Sequence, residues 1–458
     1  MRIHGQITNN REMAKARMMK HTKNGSLVAA PIAASLLSVF SFLPSVAYGQ
    51  STNNWVSDWM NQPTMTGDWG GERTSLAQEG VSFTGQLQSQ WADVPVGGRE
   101  QGDDYDQQAI LGADFNLQKL LGLNGALFHL YISDRAGRNI ASDKVGSTIQ
   151  PLNDFGSGEN FRLSIMSYEQ NLFNKRVNIL VGFYPDGTEF VNSGAVLCAF
   201  VSNGLCSHPN SLGHDTSGQS NFPGAQWGGR VKFFVTPSLY ESVGVFDVNP
   251  QLTSGDNQGF NLSLNHSTGA IIYNEIGKTT HLGADNLVGH YKIGGYYDTS
   301  TVAGTANAKE LYTGRYGGYL LMDQMIYSFQ PNTPRGIIAF FDATVNDKRT
   351  SAEQSYFDAG LILKGFLASR PVDTLALGWI KNNANSNAIK AFMKAHPADD
   401  TLFTAEQVIE LDYNYQVSPW FSVHPTVQYW INPGAITANS AKEFPNAWLY
   451  GVQTTINF

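Results

Sequence analysis

Set aside the first 49 residues, and the 458-residue chain has no apolar run approaching 18 residues. A spanning helix needs about 20, so a helical membrane protein is excluded. Cysteine is scarce, with only two, too few for a disulfide scaffold. Charge is sparse at 15%, against the usual quarter or so. Basic charge is scarcer still: beyond residue 49 there are 24 Lys and Arg against 37 Asp and Glu, a balance that speaks against nucleic acid as a partner. There is no Gly-x-Ser-x-Gly elbow, no His-Glu-x-x-His and no phosphate loop. Nothing in the sequence places two carboxylates at one cleft, as a glycosidase would need. No cofactor or metal is expected, and the chain does not read as an enzyme.

What is present points to export. Arg2, Arg11, Lys15, Arg17, Lys20 and Lys23 face a single Glu12, and a mostly apolar stretch, Leu27 to Ala47, ends in Ala47-Tyr48-Gly49. A basic region, an apolar segment and a small-x-small site predict a secretory signal over residues 1–49. Met18 or Met19 is an alternative start. Pro31 and Pro44 argue against a membrane anchor there.

The rest is rich in Tyr, Phe, Trp and Gly and alternates with period two. In Val81–Trp91, Val81, Phe83, Leu87 and Trp91 share one face, and Ser82, Thr84, Gln86, Gln88 and Gln90 the other. Ala109–Leu117 sets Leu111, Phe115 and Leu117 opposite Asp114 and Asn116. Arg162 opposes Phe161 and Leu163, and Arg230 and Lys232 oppose Val231 and Phe233. Glu410 and Asp412 oppose Ile409 and Leu411. Periodicity alone fits a soluble sandwich or a membrane barrel. The barrel is favoured because polar faces carry charge at mid-strand while apolar faces end in aromatics, as interfacial girdles do.

The C-terminal run Trp448–Phe458 alternates to its end. A terminal strand closing on Phe458 resembles the signal that the outer-membrane barrel assembly machinery reads. Val235-Thr-Pro-Ser238 and Val417-Ser-Pro-Trp420 read as short periplasmic turns, and Ile431–Asn446 as a long outer loop. A short helix is expected near Ala388–Ala395. At ~10 residues per crossing, ~16 strands fit the length and leave about 250 residues for connections. The expected fold is therefore an all-β transmembrane antiparallel up-and-down barrel over 81–458. A periplasmic N-terminal segment with a short helix, 50–80, precedes it. That segment is too small for the plug of an energised transporter.

Specific motifs sharpen this. Thr66-Gly-Asp-Trp-Gly-Gly71, Arg73-Thr74-x-Leu76 and Glu79-Gly80-Val81 open a series. Gly137-Arg-Asn139, Tyr168-Glu-Gln170, Phe222-Pro-Gly224 and Gly244-Val-Phe-Asp-Val-Asn-Pro250 continue it. Arg315-Tyr-Gly-Gly318 with Asp323-Gln324, Tyr356-Phe-Asp-Ala-Gly360 and Arg370-Pro371 follow. Val417-Ser-Pro-Trp420, Gln428-Tyr429 and Ile431-Asn-Pro-Gly434 end it. In order and coverage the chain resembles the carbohydrate-selective porins of the OprB type. Glu72 departs from the pattern, where an apolar residue is expected after the two glycines. The resemblance implies passive diffusion of glucose and related sugars across the bacterial outer membrane. The lumen-facing residues lie outside these motifs, so no particular sugar follows. Oligomeric state, monomer or trimer, stays open, as do a non-selective porin and a barrel enzyme.

Cys198 and Cys206 enclose seven residues in a long loop, about 184–226. In an oxidising compartment two such thiols are expected to pair. His208 and His214 are too weakly placed to suggest zinc. The resemblance also puts a cysteine pair here, as the staple of a constriction loop folded into the lumen. By strand parity, the candidate lumen residues are Arg162, Arg230 and Lys232, with Asp114, Glu410, Asp412 and His129. Arg162 and Arg230 stand out, since arginine facing lipid at mid-bilayer costs ~2–4 kcal/mol.

Overall fold

The computed structural model of the chain describes residues 55–155, 158–193, 196, 199–206, 209, 212–213, 216–395, 404–435 and 444–458. The expected signal segment, 1–49, lies outside them, as do Cys198, His208 and His214.

Sixteen strands close into one barrel in which every neighbour is antiparallel. In chain order they are β1 Val81–Val96, β2 Gly102–Asn116, β3 Ala126–Gly137, β4 Asn160–Leu172, β5 Val177–Tyr184, β6 Gln226–Thr236, β7 Leu239–Val248 and β8 Gly269–Leu282. They continue as β9 Leu287–Ala303, β10 Leu311–Ser328, β11 Gly336–Asn346, β12 Glu353–Lys364, β13 Thr374–Ala384, β14 Ala405–Ser418, β15 Phe421–Ile431 and β16 Ala447–Asn457. Several exceed a single bilayer crossing, β10 reaching 18 residues. Two-residue breaks at Pro237-Ser238 and Pro419-Trp420 lie at the same end as the chain's last strand end. The long connections lie at the other. The Ser386–Ala395 helix sits in one of these long connections.

The polarity of a soluble protein is inverted. Phe83, Leu111, Val231, Phe233, Ile276, Leu377, Ile409 and Leu411 are exposed on the outside. Gln90, Glu275, Asp298, Asn382, Glu410 and Gln428 are fully buried on the inside. That arrangement suits lipid without and a polar interior within. Aromatics mark both rims: at one end Tyr429 meets Trp448 at a tilt and Trp448 lies parallel to Tyr450. At the other, Tyr413 meets Tyr415, which carries the Arg370 guanidinium at 4.0 Å.

One strand end differs from expectation. Leu117 does not continue β2; it starts the helix Leu117–Leu121. Asn116 caps that helix by accepting from the Lys119 N–H at 3.1 Å, and Gly122 closes it at φ 76°.

The seam is braced from the N-terminal side. The helix Trp55–Met60 leads to a segment whose Met65 N–H donates to the Asn457 carbonyl at 2.8 Å. Trp59 packs on Trp420 at 4.6 Å, and the Trp420 indole donates to the Trp59 carbonyl at 3.1 Å. The Phe458 N–H donates to the Gly85 carbonyl at 2.8 Å. Trp420→Ala removes the stack and the indole donor but none of the ladder. We expect proteolysis of the segment before residue 66 to accelerate, while the barrel keeps its heat-modifiable migration on gels. Loss of the folded band would show that the barrel itself depends on this contact.

Candidate functional site

The barrel interior is occupied by chain. The described residues of two connections, 138–159 after β3 and 185–225 after β5, fold inward and bury apolar side chains against the wall. Ile140, Val145, Ile149 and Leu152 join Phe200, Val201 and Leu205 on Phe340, Ile380, Val408 and Trp430. Phe190, Val191 and Leu212 pack on Phe246, Ile271, Tyr273 and Tyr319. Phe190 lies flat on Tyr273, 4.8 Å between centroids and 12° between planes.

Glycines on the inner wall make room for these knobs. A Cβ at Gly244 would stand 2.5 Å from the Phe190 ring, and one at Gly378 would stand 2.5 Å from Leu205. No packed side chain tolerates such approach, so both positions demand glycine for space.

Wall acids receive the irregular backbone. Glu410 accepts from the N–H groups of Val201 at 3.1 Å and Ser202 at 2.9 Å. Asp298 accepts from Ser217 at 2.6 Å, and Glu275 from Val191 at 3.2 Å. Within the segment, Asp186 accepts from the Ser220 N–H at 2.7 Å and the Tyr273 hydroxyl at 2.6 Å. Asn153 of the other segment donates to the Cys206 sulfur at 3.3 Å. The expected Cys198–Cys206 pairing depends on a residue outside the described ones.

The sequence-predicted residues divide into two groups. Glu410 and Asp412 point inward but are 0% and 1% exposed, and Val201 and Ser202 lie against Glu410. His424 Nε2 lies 3.3 Å from the Asp412 carboxylate. Arg162 also points inward and is 1% exposed. Its guanidinium donates to the Asn160 side chain at 3.0 Å and the Ser254 carbonyl at 2.6 Å, so it holds the 249–268 connection to the wall. These three line the wall beneath chain rather than an open lumen. Parity reveals direction but not what lies on top.

The other four belong to one belt. His129 Nδ1 is 2.6 Å from Asp114, and its Nε2 is 3.3 Å from Glu169. Asn178 donates to Glu169 at 2.5 Å. Arg230 bonds Asn178 through Nη1 and Glu189 through Nε at 2.6 Å. Lys232 stands 3.8 Å from the same Glu189 and 4.9 Å over the Tyr240 ring. Tyr240 donates to Glu275 at 2.7 Å and Tyr319 to the same carboxylate at 3.0 Å. Charged groups thus run from Asp114 on β2 to Glu275 on β8, where the Tyr319 hydroxyl of β10 ends the chain of contacts, and Glu189 enters the belt from the inward segment.

Sequence reasoning missed Glu169 and Glu189. Ile132 pairs with Leu163 but Tyr131 with Ile165, which leaves Ser164 as an extra residue in β4. Such a bulge reverses the faces beyond it. Arg162 and Glu169, of opposite parity, therefore both face in. Glu189 lies in a connection, where no alternation exists to find it.

Comparison with known proteins matches residues 100–458 to the carbohydrate-selective porin, OprB family. Porin B of Pseudomonas aeruginosa is 28% identical over 431 residues, covering 86% of this chain and 91% of that protein. A putative porin, QuiX, of Acinetobacter baylyi is 27% identical over 417 residues, covering 86% and 93%. The high-pH structure of Pseudomonas putida OprB superposes with a TM-score of 0.80 at 29% identity, covering 87% of this chain and 99% of that one.

Burial pushes the Asp186 carboxyl up to about 6, against the bonds from Tyr273 and Ser220. A folded value raised above the unfolded one gives stability that is full below about pH 4 and lost as pH rises through about 6. Hydrogen exchange at 186–190 and 217–220 should therefore quicken between pH 4 and 7, relative to the intrinsic rate. Asp186→Asn should flatten that dependence. An unchanged slope in the variant would remove Asp186 as its source.

Proposed function

The chain belongs to the OprB family of carbohydrate-selective porins, and from that membership we infer that glucose-sized sugars diffuse through its barrel, across the outer membrane into the periplasm, past a constriction made by 185–225. The single observation that carries the reading is the inward packing of this segment in a closed barrel of 16 strands. A wall of that circumference alone encloses a wide aqueous channel. Chain packed inside it reduces the bore toward the size of a small solute.

The belt from Asp114 to Glu275 supplies the selective surface in this reading. Its partly exposed members, Asp114, His129, Glu169, Glu189 and Lys232, offer charged acceptors and donors to sugar hydroxyls. Charge-assisted bonds are stronger than neutral ones. Each group already has a partner across the belt, so a passing sugar exchanges bonds rather than filling an unpaired site. Such exchange suits permeation, which needs entry without a deep trap.

Purified protein in planar bilayers should conduct without an energy source, and glucose should lower that conductance at millimolar concentration. Arg230→Ala should preserve the folded band on gels and change the ratio of sugar to ion permeation severalfold. Folded protein without conductance would overturn the channel reading. Equal passage of sugars and of non-sugar solutes of the same size would replace selectivity with simple sieving. Glu410→Ala leaves two loop N–H groups without their acceptor, a loss of about 1–3 kcal/mol in local order. Larger and noisier single-channel conductance should follow.

A further inference from the structure

The geometry points to a binding site for anionic monosaccharides, of the sugar-acid class, at the periplasmic mouth of the channel. This rests on the channel reading above and names a second class of solute for it. The site is a cavity of about 630 Å³ where the β4–β5 turn meets the β6–β7 turn. Four cations line it: Lys175, Arg176, Arg230 and Lys232. The one carboxylate among its lining residues is Glu169.

Glu169 offsets only one of these four charges, and it is shared with groups outside the cavity. One of its oxygens faces His129 Nε2 at 3.3 Å and the other accepts from Asn178 at 2.5 Å. Glu189 answers only Arg230 at 2.6 Å and Lys232 at 3.8 Å. Lys175 and Arg176 are exposed on a turn whose residues 173–175 have positive φ. That leaves a local surplus of positive charge in a chain of net charge −8. The cavity of about 600 Å³ between β9 and β14 shows no such surplus; its lining includes Asp323 with His290 and Lys364.

The chemistry of the occupant follows. A cationic mouth with low-dielectric walls concentrates anions. A chloride or acetate ion would use the charge alone. The volume falls within the range of small-molecule sites, and Asn171 and Asn174 near the turn add neutral amide groups to the lining. A polyhydroxylated carboxylate uses both: its carboxylate meets Lys175 and Arg176, and its hydroxyls meet the amides. The same cations would slow such a solute on its way into the periplasm, raising its residence at the exit.

The test is electrophysiology of the full mature barrel in about 0.1 M KCl, where surface charge still reaches about 10 Å. Sodium D-gluconate, sodium acetate and D-glucose are added separately from each side. Gluconate from the periplasmic side should reduce conductance at about one tenth of the acetate concentration needed. Lys175→Gln/Arg176→Gln sits on an exposed turn and removes two charges without touching the ladder. It should raise the half-effective gluconate concentration about tenfold and leave the glucose effect unchanged. Equal potency of acetate and gluconate would overturn the site, as would a double variant that shifts glucose and gluconate alike or neither. Absence of conductance in the parent protein would overturn the channel reading itself, a different result from conductance with unselective block.

Discussion

Everything in this molecule depends on β1 meeting β16. In lipid no water satisfies an open sheet edge, and each unpaired backbone group costs several kcal/mol. The seam runs from Gln86 opposite Asn457 to Val96 opposite Trp448, with one irregularity near its outer end. Closure fixes an inside and an outside, and alternation then has only one solution. A slip of one residue would send Gln88 and Gln90 to lipid and Leu87 and Trp91 to the interior. The Phe458 N–H and the Met65 N–H extend hydrogen bonding past the last ladder pair, so the seam does not fray into the periplasm.

Closure at 16 strands also creates a problem, because the wall's own side chains cannot fill such a lumen. The chain answers with two inward connections, which carry irregular backbone to membrane depth. Such backbone is tolerated only where its donors find acceptors. Here Glu410, Asp298 and Glu275 supply them from the wall, and Asp186 from the segment itself. The excess of acidic over basic residues thus has a structural use, distinct from any attraction of solutes. The belt near the periplasmic end is where acids meet cations and side chains stay partly exposed.

The barrel was legible in the sequence because its constraint is local and repeated. Phe83 against Thr84, or Ile409 against Glu410, declares the two faces within a few residues. Phe458 and the Pro turns place the last strands in the same way. The candidate site was legible only in part. Arg230, Lys232, Asp114 and His129 fall together because their strands keep strict alternation up to the belt. Glu169 was hidden by Ser164, one extra residue that no pattern of hydrophobicity announces. For Arg162, Glu410 and Asp412 parity gives direction, while the cover of Arg162 comes from residues 90 and 92 positions away and that of Glu410 from residues 208 and 209 positions away. A signal for that cover did exist: Phe246, Ile271, Tyr273, Val408 and Trp430 are apolar residues on the otherwise polar face. Interruptions of the polar face mark where chain lies on the wall.

Gly244 and Gly378 turn that contact into a knob seated in a socket. The wall has the same strand number and circumference whether or not the sockets are filled. In the proposed channel, the width of the passage is then a matter of which side chains the segment presents and how deep the wall lets them sit. Lineages could retune the calibre by trading one ring for another at 190 or 200, with no change to the membrane-facing cylinder or to its assembly. On the proposed reading, bore and barrel are separable traits in one chain.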